Sequence, residues 1–325
     1  MKLQVEQPGA LTTVQDRGRT GWRHLGVAAA GALDPDAARL ANRLVGNPAD
    51  AAVLEYTLIG PTLRLDAPTT IALCGAEVEA SHTAGDGTRT PVGSGRPVRL
   101  PPGSLRIGPL RHGIRGWLAI AGGLRTPPML GSRSTDLRGG FGGHAGRALV
   151  RGDVLLAASA GLPSPQLPWQ PSWWVEFDPL PDAAIVVHFV PAMALDETAR
   201  ALASRPWRVD VRSNRQGLRL QGEALQVPAG DIVSTAVAPG TLQLPPDGQP
   251  IVLLADAQTT GGYRRIGHVI TADLPLLAQA GPGTALQLVA VDADTAASLR
   301  EARRAQWRRL EYLLDERLRS LPPAG

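Results

Sequence analysis

Apolar positions in this chain come in short alternating runs punctuated by glycine and proline. Leu3 and Val5, then Thr12 and Val14, alternate with polar neighbours around Pro8-Gly9, which predicts two short strands and a turn. Between residues 61 and 124 the segments LRL, TTIALCG, VRL, SLRIG and GWLAIAGG repeat the pattern at the spacing of an all-β barrel or sandwich. It resumes in AIVVHFV, WRVDV and LRLQG, and again in the apolar run 251–255. Helices are few. Asp34 is a good N-cap, Pro35 fits the first helical position, Ala37, Leu40, Ala41 and Leu44 recur at three-to-four spacing, and Gly46 closes the helix. A short helix is expected over 196–203, and a long amphipathic one over 295–319, with Leu299, Ala302, Leu310, Leu313, Leu314 and Leu318 on one face. Residues 157–171, rich in Pro, Ser and Ala without periodicity, read as a linker between an N-terminal β domain, 1–160, and a C-terminal β domain, 172–325, that carries the terminal helix.

Composition narrows the picture. A chain of 325 residues holds two ordinary domains, each with a real core. Its 37 glycines and 29 prolines fall short of low-complexity disorder and mark a fold with many turns. The net charge of +4 and a pI near 9.9 raise the question of nucleic acid. Against it, Lys2 is the only lysine, the arginines are scattered, and no basic stripe is interleaved with aromatics. Cys74 is the lone cysteine, so no intrachain disulfide forms; this fits a reducing cytoplasm. The N-terminus lacks an apolar signal core, and no apolar run reaches the ~18 residues of a membrane span. A soluble cytoplasmic protein is expected, with no nucleic-acid or membrane partner.

Chemistry concentrates in three polar loops. At the end of the strand 251–255 come Asp256, Gln258, Thr259, Thr260, Gly261, Gly262 and Tyr263. The paired glycines let backbone approach a ligand, and the side chains offer both hydrogen-bond signs. A plain hairpin with a Gly-Gly turn explains the same residues. Residues 16–26 form a glycine-spaced loop holding Arg17 and His24, and Asp34 has capping as an alternative to catalysis. The run Arg133-Ser134-Thr135, followed by Gly139-Gly140-Phe141-Gly142-Gly143, reads as an anion cradle of backbone NH groups, one guanidinium and two hydroxyls. No Walker A loop, nucleophile elbow, HExxH spacing or multi-thiolate set is present, so no metal is expected. The string from Gly140 to Ala145 matches a loose dinucleotide-binding pattern without its strand-then-helix setting.

Four segments together resemble one family. VQDRGRTGWRHLGV with GALDPDAARLANRLVGNP, then LEYTLIGPTL, then GSRSTDLRGGFGGHAGRAL with RGDVL, and PPDGQPIVLLADAQTTGGYRRIGHVITADLPLLAQ are similar, in order and spacing, to the KipA-like proteins. These are also called allophanate hydrolase subunit 2, biotin-dependent carboxyltransferase family proteins, or the C subunit of 5-oxoprolinase. The resemblance implies two cyclophilin-like β-barrel domains with a few peripheral helices. It also implies two partners, a KipI-like B subunit and a LamB/YcsF-like A subunit, and ATP-dependent opening of 5-oxo-L-proline to L-glutamate by the assembly. Two other activities follow from relatives: half of a biotin-dependent carboxyltransferase acting on urea or a related amide, with biotin on another chain, or non-catalytic binding of a KipI-like kinase inhibitor.

Under the first activity, ATP acts in the assembled complex, and Asp256 or Asp34 serves as base. Gln258, Thr260 and Tyr263 orient the amide, while Arg133, Ser134 and Thr135 cradle an anion; Gly261, Gly262, Arg17 and His24 complete the binding set. Two departures stand out. The family often has Ser-Asp-Arg-Met-Gly where this chain has Ser213-Asn214-Arg215-Gln216-Gly217, so Asn214 carries no acid/base role. Ala257 stands where an arginine is frequent, which removes a positive charge beside Asp256.

Overall fold

A computed structural model of the chain describes residues 1–158, 168–176, 183–192, 196–227 and 233–321. It resolves into two compact units, each mainly β. The first comprises Met1–Arg19, Ala30–Pro179 and Leu313–Gly325; the second comprises Thr20–Ala29 and Leu180–Tyr312.

The first unit is a curled nine-stranded sheet. Its strands are β1 (Lys2–Gln7), β2 (Leu11–Gln15), β3 (Val53–Thr57), β4 (Thr62–Leu65), β5 (Thr69–Ala84), β6 (Arg89–Val92), β7 (Val98–Leu100), β8 (Gly103–Ile120) and β9 (Val154–Leu156). They follow the order β2-β3-β8-β4-β1-β9, with β5 pairing β6, β7 and β8. The core is the set of alternate residues that this register turns inward, among them Leu3, Val5, Val14, Leu54, Leu63, Ile71, Leu73, Leu105 and Leu118. The sequence pattern predicts separate strands at SLRIG and GWLAIAGG, and the structure joins them into the single strand β8. Glycine explains the difference: Gly113 at φ 138° and His112 at φ 50° bend the strand without ending it. The helix α1 (Pro35–Leu44) packs on β5 and β8 and buries Ala37, Leu40, Ala41 and Leu44, the spaced apolar set. Asp34 caps it, with Oδ1 accepting from the backbone of Asp36 and Ala37 at 3.0 and 2.9 Å.

Of the expected linker, residues 159–167 lie outside the described residues. Residues 168–171 are strapped onto the first unit. Trp169 exchanges backbone hydrogen bonds with Arg99 and stacks under its guanidinium at 4.7 Å, and Arg96 donates to the Pro171 carbonyl at 2.8 Å.

The second unit closes a barrel in the order β10-β17-β14-β15-β12-β11-β18. Its strands are β10 (Ile185–Pro191), β11 (Pro206–Val209), β12 (Gly217–Gln221), β14 (Thr241–Leu244), β15 (Ile251–Leu253), β17 (Arg264–Val269) and β18 (Ala285–Ala290). The parallel pair β10 and β18 closes the ring. Ile185, Val187, Phe189, Leu218, Val252 and Leu288 fill it, while the alternating Val186 and His188 face outward. Two two-residue strands, β13 (Thr235–Ala236) and β16 (Thr260–Gly261), form a separate ladder. The helices are α2 (Glu197–Ser204), capped by Asp196, α3 (Leu274–Gln279) and α4 (Ala293–Arg319). The long helix α4 buries only Leu314, and Ala302 and Leu313 of the expected apolar face are exposed.

Candidate functional site

In the first unit one carboxylate organises the polar loop after β2. Asp16 Oδ1 accepts from Ser132 Oγ and Ser134 Oγ at 2.6 Å each and from Gly18 N at 2.8 Å. Its Oδ2 accepts from Arg133 N at 2.5 Å. A carboxylate only accepts, and these donors have lost their water, so the two loops are fixed to each other. Thr135 Oγ1 donates to Val14 O at 3.0 Å, Arg133 Nε to Thr126 O at 2.9 Å, and Arg19 Nη2 to Ser134 O at 2.5 Å. The Arg19 guanidinium lies 4.5 Å from the Phe141 ring centroid.

This geometry revises the anion cradle expected at Arg133-Ser134-Thr135. Ser134 and Thr135 are fully buried, and their hydroxyls are taken by the Asp16 carboxylate and the Val14 carbonyl. Beyond the run, Gly142 and Gly143 serve close packing. A Cβ on Gly142 would overlap Arg19 Nη2 and the Ser134 carbonyl, and one on Gly143 would overlap Thr135 Oγ1.

Behind the loop sits a buried carboxylate that sequence reasoning does not single out. Glu55 on β3 accepts from Leu33 N at 2.9 Å and from Trp117 Nε1 at 3.1 Å. Its only signal in the sequence is one acid inside an otherwise apolar strand. Burial raises the Cys74 thiol well above its ordinary range, with the Asp34 charge adding to the effect, so Cys74 is an inert core residue.

Arg17 differs from its neighbours. Gly31 (φ 98°) passes close to its backbone, where a Cβ would come within 2.9 to 3.1 Å of Gly18 N and of the Arg17 C and O atoms. Its side chain is exposed and makes no hydrogen bond or ion pair among the described residues. It borders an open pocket of about 130 Å³ whose other walls are Asp16, the Pro35, Asp36, Ala38, Arg39 and Asn42 face of α1, and Ala49 and Ala51.

In the second unit the polar stretch after β15 is built on a buried ion pair. Arg215 Nε donates to Asp256 Oδ2 at 2.9 Å and Nη2 to Oδ1 at 3.0 Å, and both side chains are almost fully buried. Asp256 is therefore the anchor of Arg215, and Asp34 is a helix cap; neither is an unpaired carboxylate awaiting a proton. Thr260 and Gly262 are exposed, Tyr263 is 45% exposed, and Gln258 is half-buried. A Cβ on Gly261 would overlap Nε2 of the buried Gln243, an amide nitrogen with no hydrogen-bond partner among the described residues, so that side chain would have to move. Arg23, which no pattern in the sequence singles out, donates to the Val237 carbonyl; burial lowers its pKa from the ordinary arginine value. His24 beside it is exposed in a one-turn 3₁₀ helix, Arg23–Leu25. Thus Gln258, Thr260, Gly261, Gly262 and Tyr263 share one edge of the second unit, while Arg133, Ser134, Thr135, Arg17 and Asp34 belong to the first. Among the described residues no group of three His, Cys, Asp or Glu side chains is placed to hold a metal, and no helix is long and apolar enough to cross a membrane.

Comparison with known proteins places this architecture. The family model for the carboxyltransferase domain, subdomains A and B, matches residues 25–290. The chain belongs to that carboxyltransferase family. It is 37% identical over 318 residues to the 5-oxoprolinase C subunit of Escherichia coli K12, covering 96% of this chain and 98% of that one. Among solved structures, TTHA0988 superposes with a TM-score of 0.77 at 40% identity, over 89% of this chain and 55% of that one. The urea amidolyase of K. lactis superposes with a TM-score of 0.81 at 28% identity, over 94% of this chain and 20% of that one. The carboxyltransferase domain thus occurs both as a chain of about this length and as a part of much longer chains.

Proposed function

We propose that the chain is the C subunit of an ATP-dependent 5-oxoprolinase, which opens the lactam of 5-oxo-L-proline to L-glutamate. It acts together with KipI-like and LamB/YcsF-like subunits in the cytoplasm. The supporting observation is end-to-end correspondence with the E. coli C subunit, against a match to only a fifth of the urea amidolyase chain. Lactam hydrolysis needs groups that orient the amide, donors for charge that develops on its oxygen, and an acceptor for a proton of water. On this chain Thr260 and Tyr263 present exposed hydroxyls, with Gln258 beside them, and these are the orienting groups of the reading. Asp256 and Asp34 already hold Arg215 and the start of α1, so the proton acceptor is assigned to the other subunits.

The test is reconstitution. The three chains purified together should release glutamate from 5-oxoproline with ATP, and each pair should be silent; a complete assembly that releases none overturns the reading. In that assembly Tyr263→Phe should lower kcat about tenfold, equivalent to ~1.4 kcal/mol, with co-purification unchanged. The family model itself favours one rival, carboxyl transfer from a biotin carried on another chain.

A further inference from the structure

On the outer face of the second unit's barrel, against the strand that carries Thr260 and Gly261, lies a buried side-chain amide with nothing to bond. We propose that this amide, Gln243, reads a ligand that carries an amide beside a carboxylate, with Arg265 taking the carboxylate. This pair rests on the lactam reading and adds to it the groups that recognise the substrate.

The backbone sets the placement. Gln243 lies on β14 between Leu242 and Leu244, both buried in the barrel, so alternation turns Gln243 to the outside. It is nevertheless only 1% exposed. Gly261 of β16 lies against it, where a Cβ would overlap Nε2 and come to 3.4 Å from Oε1. On one side its neighbour in register is Ile251, which forms a small apolar cluster with Val237, Leu253 and Ala257. Nε2 has no hydrogen-bond partner among the described residues. A buried donor in that state costs stability, and in apolar surroundings nothing offsets the loss of its water.

On the other side β17 sets Arg265 opposite Gln243. Directly opposed residues of an antiparallel pair share a face, with Cβ atoms about 4.5–5.5 Å apart. Arg265 is exposed and makes no hydrogen bond or ion pair among the described residues. One face therefore holds a carboxamide, which donates and accepts, beside a guanidinium, which only donates. A lactam presents its C=O and N–H side by side and meets a carboxamide through two parallel hydrogen bonds; a carboxylate on the adjoining carbon falls to the guanidinium. A neutral amide would leave Arg265 unanswered, and a plain carboxylate would leave Gln243 Oε1 without a donor. The cover over Gln243 is slight. It consists of two residue pairs, Thr235 with Gly261 and Ala236 with Thr260, and one further bond from Val237 N to Thr259 O at 3.0 Å. A ladder with so few bonds shifts at small cost to admit a ligand.

The experiment is titration of the full chain with 5-oxo-L-proline, with 2-pyrrolidinone, which lacks the carboxylate, and with cyclopentanecarboxylate, which lacks the amide, followed by NMR of the Gln243 side-chain NH2 signals. 5-Oxo-L-proline should move those signals and bind about tenfold more tightly than either analogue. Gln243→Met should erase the advantage over cyclopentanecarboxylate, and Arg265→Gln the advantage over 2-pyrrolidinone. In ligand-free thermal melts Gln243→Met should unfold at the wild-type temperature or above it, because it removes an unpaired donor and keeps the volume. Gly261→Ala, whose Cβ displaces the amide, should weaken 5-oxo-L-proline binding to the same degree and carries the test should Gln243→Met fail to fold. Equal affinity for the three compounds, unmoved Gln243 signals, or full binding by Gln243→Met or Gly261→Ala would overturn the proposal. So would a lower melting temperature of Gln243→Met with binding intact, which would make the amide a structural group. Failure here while the reconstituted assembly still releases glutamate strikes this pair alone; a complete assembly that releases none strikes the lactam reading, whatever the isolated chain binds.

Discussion

Two side chains show how burial alone sets chemistry at the residue scale. His82 on β5 is buried, with Gly103 closed against Nε2, and neither ring nitrogen makes a hydrogen bond of good geometry. Burial lowers its pKa from the ordinary histidine value, an effect that the nearby Pro101 carbonyl only partly offsets. The sign follows. Above about pH 6.5 the ring is neutral in both folded and unfolded chains; below it the unfolded chain takes a proton that the folded chain resists, so stability falls with pH. The loss is at most ~1.4 kcal/mol per pH unit. His82→Leu should flatten the fall in urea midpoint between pH 7 and pH 5, and an identical fall in both proteins would refute the assignment. Asp256 is the opposite case, a charge kept by its partner. Asp256→Asn leaves the Arg215 guanidinium buried without its counter-ion, which should cost about 3 kcal/mol or more in denaturant unfolding. Such a loss separates anchoring from catalysis, because a dispensable base would be lost without loss of stability.

At the scale of elements, what is legible in the sequence is local. Asp34-Pro35 predicts the cap and first turn of α1 because the bonds concerned reach two or three residues, and the structure shows them. Ser134 and Thr135 escape such reasoning because their partners, Asp16 and Val14, lie 118 and 121 residues away, and no spacing rule reports a contact of that range. Likewise the glycines near β8 resemble strand ends, since composition cannot distinguish a bulge that two long partners hold in register from a turn. The glycine-rich loop is testable on this basis. Its purpose here is to lie flat on Ser134 and Thr135, so Gly143→Ala, at φ 53° and overlapping Thr135 Oγ1, should destabilise the first unit by ~1–3 kcal/mol. Gly140 has open space around its Cα, and Gly140→Ala should cost less in the same thermal melt. If the two cost the same, the loop is not packed as described.

On the scale of the whole molecule, one fold serves relatives that bear different names, so architecture does not choose the chemistry. The two rival assemblies differ in a physical requirement. Carboxyl transfer needs a biotin that travels between sites on a carrier, and avidin, by enclosing the biotin, halts it. Lactam hydrolysis has no travelling group, and its water and phosphate chemistry proceeds with avidin present. In the proposed roles, the exposed Thr260 and Tyr263 would orient an amide whether it is hydrolysed or carboxylated, so replacing them does not separate the two. Avidin does. The reconstituted assembly should release glutamate from 5-oxoproline at an unchanged rate when avidin is in molar excess, and it should show no urea-dependent ATP turnover. A rate that collapses with avidin and returns when the avidin is first saturated with free biotin would assign the chain to carboxyl transfer.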